Sequence, residues 1–200
     1  MNGDAVSDAL LALVAGLVAW RLLACHPTAA LGGALVAAAA AIGTLAFLGV
    51  GWAPGGLHHA AAVIAGCAGL PLLAVGLRWP DSAVATRLAA AVALLAALVL
   101  LAVWLVMVLR WAPWSQALPL SSALLLALAG LRSHRRLVVV GALTLVVAFV
   151  MFASGWTVPR LSIVQQLHLL TAAGLGLVGI GATTARDHRR HAHAVGGMKG

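Results

Sequence analysis

The chain has 200 residues, 64% of them hydrophobic and 8% charged, with a mean hydropathy of +1.10, which leaves too little polar surface to cover a water-soluble globule of this size. The formal net charge of +8 would suit nucleic acid or an acidic partner. The arginines, however, lie at the ends of apolar runs, with no basic stripe interleaved with aromatics. Nucleic-acid binding is therefore set aside, and membrane lipid is the expected partner.

Seven apolar segments follow in chain order: Asp8 to Cys25, Ala29 to Trp52, Leu57 to Arg78, Leu88 to Leu109, Ser115 to Leu131, Leu137 to Trp156, and Arg160 to Thr184. Most approach the ~20 residues that cross a hydrocarbon core of about 30 Å. The fifth is the shortest. It is read as a full span because a re-entrant segment would break the alternation of charge between loops. Successive gaps carry Arg21; no Lys or Arg; Arg78 and Arg87; Arg110; Arg132, Arg135 and Arg136; Arg160; then Arg186, Arg189, Arg190 and Lys199. Ten of the twelve basic residues fall on one face, and the positive-inside bias places that face in the cytoplasm, with the N-terminus outside and the C-terminus inside. Eleven arginines against one lysine, among abundant Ala and Gly, is the usage of a GC-rich bacterium. The expected architecture is an all-α bundle of seven transmembrane helices over residues 1–185 in a bacterial inner membrane. A basic, His-rich cytoplasmic tail follows over 186–200, with His188, His191 and His193; it is expected to be disordered and to bind metal only opportunistically.

Several local features fit this threading. Asp4 and Asp8 stand where a signal peptide needs positive charge, and Arg21 precedes the lipoprotein-like Leu22-Leu23-Ala24-Cys25, so the first segment is kept as a helix. Cys25 and Cys67 are expected at depths differing by roughly 15 Å, too far for a disulfide. Trp52, Trp111, Trp114 and Trp156 mark outer helix ends, Trp20 and Trp79 inner ones, and only Trp104 lies further in. Pro27, Pro54, Pro80 and Pro113 are expected in loops, and Pro119 and Pro159 at or just before helix starts. Pro71, inside the third span, should kink it. Leu70-Pro71-Leu72 and Leu118-Pro119-Leu120 hint that helices three and four duplicate five and six. Stripes of small residues, such as Ala62, Ala65 and Gly69, or Gly174, Gly176, Gly179 and Gly181, predict close helix packing.

Polar groups inside a span are costly, so the few present are the functional candidates. Ser162, Gln165, His168 and Thr171 recur at spacings of three along the last helix and share a face. Asp8 opens the first helix, His58 and His59 open the third, and odd-numbered helices start on the same outer side. These groups are expected to converge on one outward-opening pocket. Adjacent His58 and His59 diverge by about 100° on a helix; His58 is preferred because it shares its face with Ala62, Ala65 and Gly69. Asp8, His58 and His168 would then be zinc ligands with one open water position. Gln165, Gln166 and Thr171 would contact substrate, and Asp8 is the candidate catalytic carboxylate, since the chain has no glutamate. The competing reading makes the histidines interfacial or hydrogen-bonded to neighbouring helices and Asp8 a dipole-favoured residue of a helix start.

Ser7-Asp8, Leu57-His58 and Gln165 to His168 resemble a group of bacterial seven-helix membrane proteins, and through them the superfamily of alkaline ceramidases and progestin/adipoQ-type receptors. The resemblance implies a zinc-dependent amide hydrolase of membrane lipids with three histidines, one early and two late as His-x-x-x-His. His58 takes the early place and His168 one late place. Val164 and Ala172 stand where the second late histidine would be, so Asp8 would have to complete the set. The most concrete expected function is thus a zinc-dependent hydrolase of membrane-lipid amide or ester bonds at the outer face. The alternatives are a non-enzymatic scaffold, accessory subunit or small-molecule transporter, and a haem-binding protein using His168 with His58 or His59.

Overall fold

The computed structural model describes the backbone over residues 3–50 and 55–196, and side chains over 3–50 and 56–184. Seven helices among these residues are long and apolar enough to cross a bilayer, and the chain is a multi-pass membrane protein. They are α1 (Gly3–Leu22), α2 (Pro27–Phe47), α3 (Gly56–Arg78), α4 (Leu88–Val108), α5 (Ala112–Arg132), α6 (Arg136–Ser154) and α7 (Ile163–Gly196, apolar over Ile163–Thr184). One further turn, Ala83–Thr86, is capped by Ser82, whose Oγ accepts from Ala85 N–H at 3.2 Å.

Several helix limits differ from the sequence reading. α1 begins at Gly3, so Asp8 lies in its second turn and is buried rather than opening the helix. Asp4 takes the dipole-favoured first-turn place instead. The fifth segment is a full 21-residue span because the helix starts at Ala112. Pro113 occupies its first turn, where a missing N–H costs nothing, and Pro119 is inside the helix rather than at its start. Pro27 likewise sits in the first turn of α2 rather than in a loop. α6 stops at Ser154 because left-handed Gly155 (φ 71°) closes it, with Trp156 N–H on the Met151 carbonyl and Gly155 N–H on that of Phe152. α2 ends at Phe47; Trp52 and Pro54 lie outside the described residues. So do the side chains of the tail from Arg186.

Pro71 shapes α3 through its neighbours. The turn just before it, Ala65–Gly69, is a π-helix, in which Leu70 N–H reaches back to the Ala65 carbonyl. The wider turn lies where the proline's missing donor would otherwise interrupt the α-helical ladder. Pro119 of α5 packs on this turn: a Cβ on Gly66 would stand 3.1 Å from its Cγ.

Six helices close a ring in the order α1, α2, α3, α5, α6, α7 and back to α1, while α4 lies outside against α3 and α5. Only 11% of the apolar window of α4 is buried, against 61% for α3; α4 therefore faces lipid and α3 is central. The main core runs through the ring, with Leu22, Leu73, Leu126, Leu145, Leu175 and Val178 fully buried. A second, smaller cluster of Val63, Cys67 and Ala102 fixes α4 to α3. Trp114, at the start of α5, packs half-buried against that cluster, and Trp20 and Trp156 are exposed. Both cysteines are free.

Candidate functional site

The ring leaves a cavity of about 120 Å³ near the end opposite the arginine-rich one. Its polar groups come from α1 (Asp8), α3 (His58) and α7 (His168 and Thr171). The walls are otherwise apolar, with Leu11, Val36, Leu70, Phe149 and Leu167 among them. Asp8, His58 and His168, expected to converge from three helix starts, thus line one space; His59 is exposed and is not among its lining residues.

Asp8 and His168 are in contact. Asp8 Oδ1 is 3.0 Å from His168 Nδ1, with the side chains 1% and 14% exposed, and a carboxylate at that distance requires a proton on Nδ1. The neutral ring therefore carries its lone pair on Nε2. Ser7 Oγ approaches the same Nδ1 at 3.5 Å while donating to the Asp4 carbonyl at 2.9 Å. Because serine and aspartate meet one ring nitrogen rather than opposite ones, the trio is not arranged as a nucleophilic relay.

The other carboxylate oxygen, Asp8 Oδ2, is buried and has no hydrogen-bond partner among the described residues; the same is true of His58 Nδ1 and Thr171 Oγ1. The His58 ring is held edge-on to Phe47, with centroids 5.4 Å apart. Gly43 of α2 lets these groups approach. A Cβ there would overlap Asp8 Oδ2 and come within 2.8 Å of His58 Cε1. Gly43 carries no chemistry of its own, so no sequence signal singles it out.

Gln165 and Gln166 are engaged elsewhere. Ser162 Oγ accepts from Gln165 N–H at 3.0 Å, and Gln165 Oε1 accepts from Ser162 N–H at 3.3 Å. This is a capping box at the start of α7, and its Ser-x-x-Gln pattern is legible in the chain once the helix start is moved from Arg160 to Ile163. Ser162 Oγ also donates to Asp4 Oδ1 at 2.7 Å, tying α7 to α1. Gln166, buried, accepts from Val158 N–H at 2.8 Å and donates to the Trp156 carbonyl at 3.1 Å, clamping the α6–α7 loop beside the cavity. Gln166→Leu leaves two backbone groups without that partner. It is expected to lower stability by about 1–3 kcal/mol, read as a fall in the thermal midpoint, with little change if water replaces the amide.

No family model, curated protein or solved structure matches the chain. Its chemistry rests on the geometry just given. Among the described residues no group of three or more His, Cys, Asp or Glu side chains is placed to hold a metal ion. Asp8, His58 and His168 line the same space, with only Asp8 and His168 in direct contact among the contacts described. A porphyrin is far larger than the cavity.

Proposed function

We propose that this multi-pass membrane protein is a carrier that binds a small amphipathic cation in the Asp8–His58–His168 cavity, with a short-chain protonated amine as the simplest ligand. The arginine distribution makes the cavity's end of the bundle the outer one. One observation carries the reading: three buried polar atoms without partners belong to side chains that line a single apolar-walled space. Each such group costs about 1–3 kcal/mol when left unsatisfied, so the space suits an occupant with several donors. An ammonium group has three. It would donate to Asp8 Oδ2, to the lone pair of a neutral His58 Nδ1 and to Thr171 Oγ1, while its alkyl chain lies against Leu11, Val36 and Phe149. The volume is slightly below the ~150 Å³ that accepts a benzene ring.

The test is calorimetric titration of the purified full chain in detergent with n-butylamine and, in parallel, n-butanol. The amine is expected to bind at least about tenfold more tightly than the alcohol, as a charge-assisted bond to a buried carboxylate requires, and Asp8→Asn is expected to remove the difference. Equal affinities, or no binding of either, overturn the reading. Metal content of the same sample separates the hydrolase implied by the family resemblance: about one zinc per chain, lost in His58→Ala and in His168→Ala, would replace the amine by a metal ion.

A further inference from the structure

A cavity of about 540 Å³ lies at the other end of the bundle, between the start of α2 and the ends of α3 and α5. Its described lining carries three guanidiniums, Arg78, Arg132 and Arg135, with His26, against one carboxylate, Asp81. We infer that this pocket is a binding site for a phosphate group, presented by the headgroup of an anionic phospholipid, with Arg78 and Arg132 as the principal ligands.

Four observations support the assignment. Arg78 Nε is buried without a hydrogen-bond partner among the described residues, so one donor of its planar fork meets no acceptor there. The same guanidinium lies 5.2 Å from the Trp79 ring centroid, and Trp79 is 46% exposed, as an indole at the headgroup level would be. Arg135 is fixed rather than free: its Nη1 donates to the Ala182 carbonyl of α7 at 3.2 Å, which leaves Arg78 and Arg132 as the groups able to close on an anion. The rim is also rigid. Thr28 Oγ1 donates to the Val84 carbonyl at 2.6 Å, and the turn after α5 is locked by Arg135 N–H on the Gly130 carbonyl at 2.8 Å, with His134 held at φ 54°. Ser82 and Ser133 hydroxyls already donate to the backbone carbonyls of Trp79 and Ala129, so the guanidiniums are the main recognition chemistry. Guanidinium forks pair with phosphate in two parallel bonds, and a single leaflet rich in anionic lipid would present that group at this depth. Positive-inside bias requires arginines at this end of the helices. It does not require several of them to line one hollow.

The experiment is native mass spectrometry of the full chain in detergent, with added phosphatidylglycerol, phosphatidylcholine or inorganic phosphate. Retention of phosphatidylglycerol at least about tenfold above phosphatidylcholine is expected, falling to parity in Arg78→Gln/Arg132→Gln. It should survive in Arg21→Gln/Arg87→Gln, which removes the same charge from exposed positions at the same end. Competition by millimolar phosphate would identify a phosphate site open to the free ion; no competition, with lipid still bound selectively, would identify the headgroup as the source. Equal retention of the two lipids, or equal loss in both double variants, overturns the inference. Should the Arg78 change prevent folding, Arg132→Gln alone, at an exposed position, carries the same comparison.

Discussion

Gly43→Ala is expected to weaken amine binding sharply while leaving the bundle assembled. The added methyl group would occupy the position of Asp8 Oδ2 and press on the His58 ring. Asp8 is 1% exposed and its other oxygen is engaged by His168, so the carboxylate cannot swing away without breaking that contact. Either the carboxylate turns and the Asp8–His168 pair is lost, or α2 moves off α1 and the cavity changes shape. A charge-assisted hydrogen bond is worth about 1.5–3 kcal/mol, so affinity should fall by roughly tenfold to more than a hundredfold, measured by the same titration. Gly56→Ala meets open space and is the control. Unchanged affinity in the Gly43 variant would show that the ligand does not use Asp8 Oδ2.

Valine at Gly141 or Gly174 is expected to be strongly destabilising. These two glycines are the crossing point of α6 and α7: a Cβ on Gly141 would lie 2.5 Å from the Gly174 carbonyl oxygen and 2.9 Å from Val178 N, and one on Gly174 would lie 2.8 Å from the Gly141 carbonyl oxygen. Backbone atoms cannot rotate aside as a side chain can, so two helices that also flank the cavity must separate. Overpacking in a filled core costs about 1–3 kcal/mol and sometimes more; about 3 kcal/mol or above is expected here, seen as a large drop in thermal midpoint in detergent. Gly176→Ala, only two residues from Gly174, is expected to be neutral or to gain up to about 1 kcal/mol from helix propensity. Its Cβ would meet nothing nearer than Val14 Cγ1 at 3.6 Å. Similar losses at Gly174 and Gly176 would contradict the crossing geometry.

Much of the architecture was legible without coordinates. Hydrophobic length alone defines all seven spans, because a bilayer admits few backbone solutions and the helix is the one these compositions support. The limits of the spans were less accessible. Ser115, Trp156 and Arg160 looked like boundaries from polarity, whereas the actual ends are set by local backbone chemistry: a proline in the first turn of α5, a left-handed glycine after α6 and the Ser162–Gln165 capping box before α7. The capping box and the clamp on the α6–α7 loop show why Gln165 and Gln166 stay out of the cavity. Gln165 and Gln166 share a helix with His168 and Thr171, but their amides reach the helix start and the α6–α7 loop, while Thr171 lines the cavity.

Asp8, His58 and His168 could be named from the chain because ionisable groups within apolar segments are rare, and rarity is a property of sequence. Odd-numbered helices starting on one side then made their meeting geometrically reasonable. Which helices adjoin is not written in any one segment. Ring closure of α1 on α7 and the exclusion of α4 depend on which small-residue stripes fit one another, and dispersion between helices in lipid is decided by shape, with no hydrophobic drive to order them beforehand. For the same reason Gly43, silent among 22 glycines, becomes decisive only when a second helix is laid across it, and Gly174, named beforehand only as one of a small-residue stripe, is told apart from Gly176 only there.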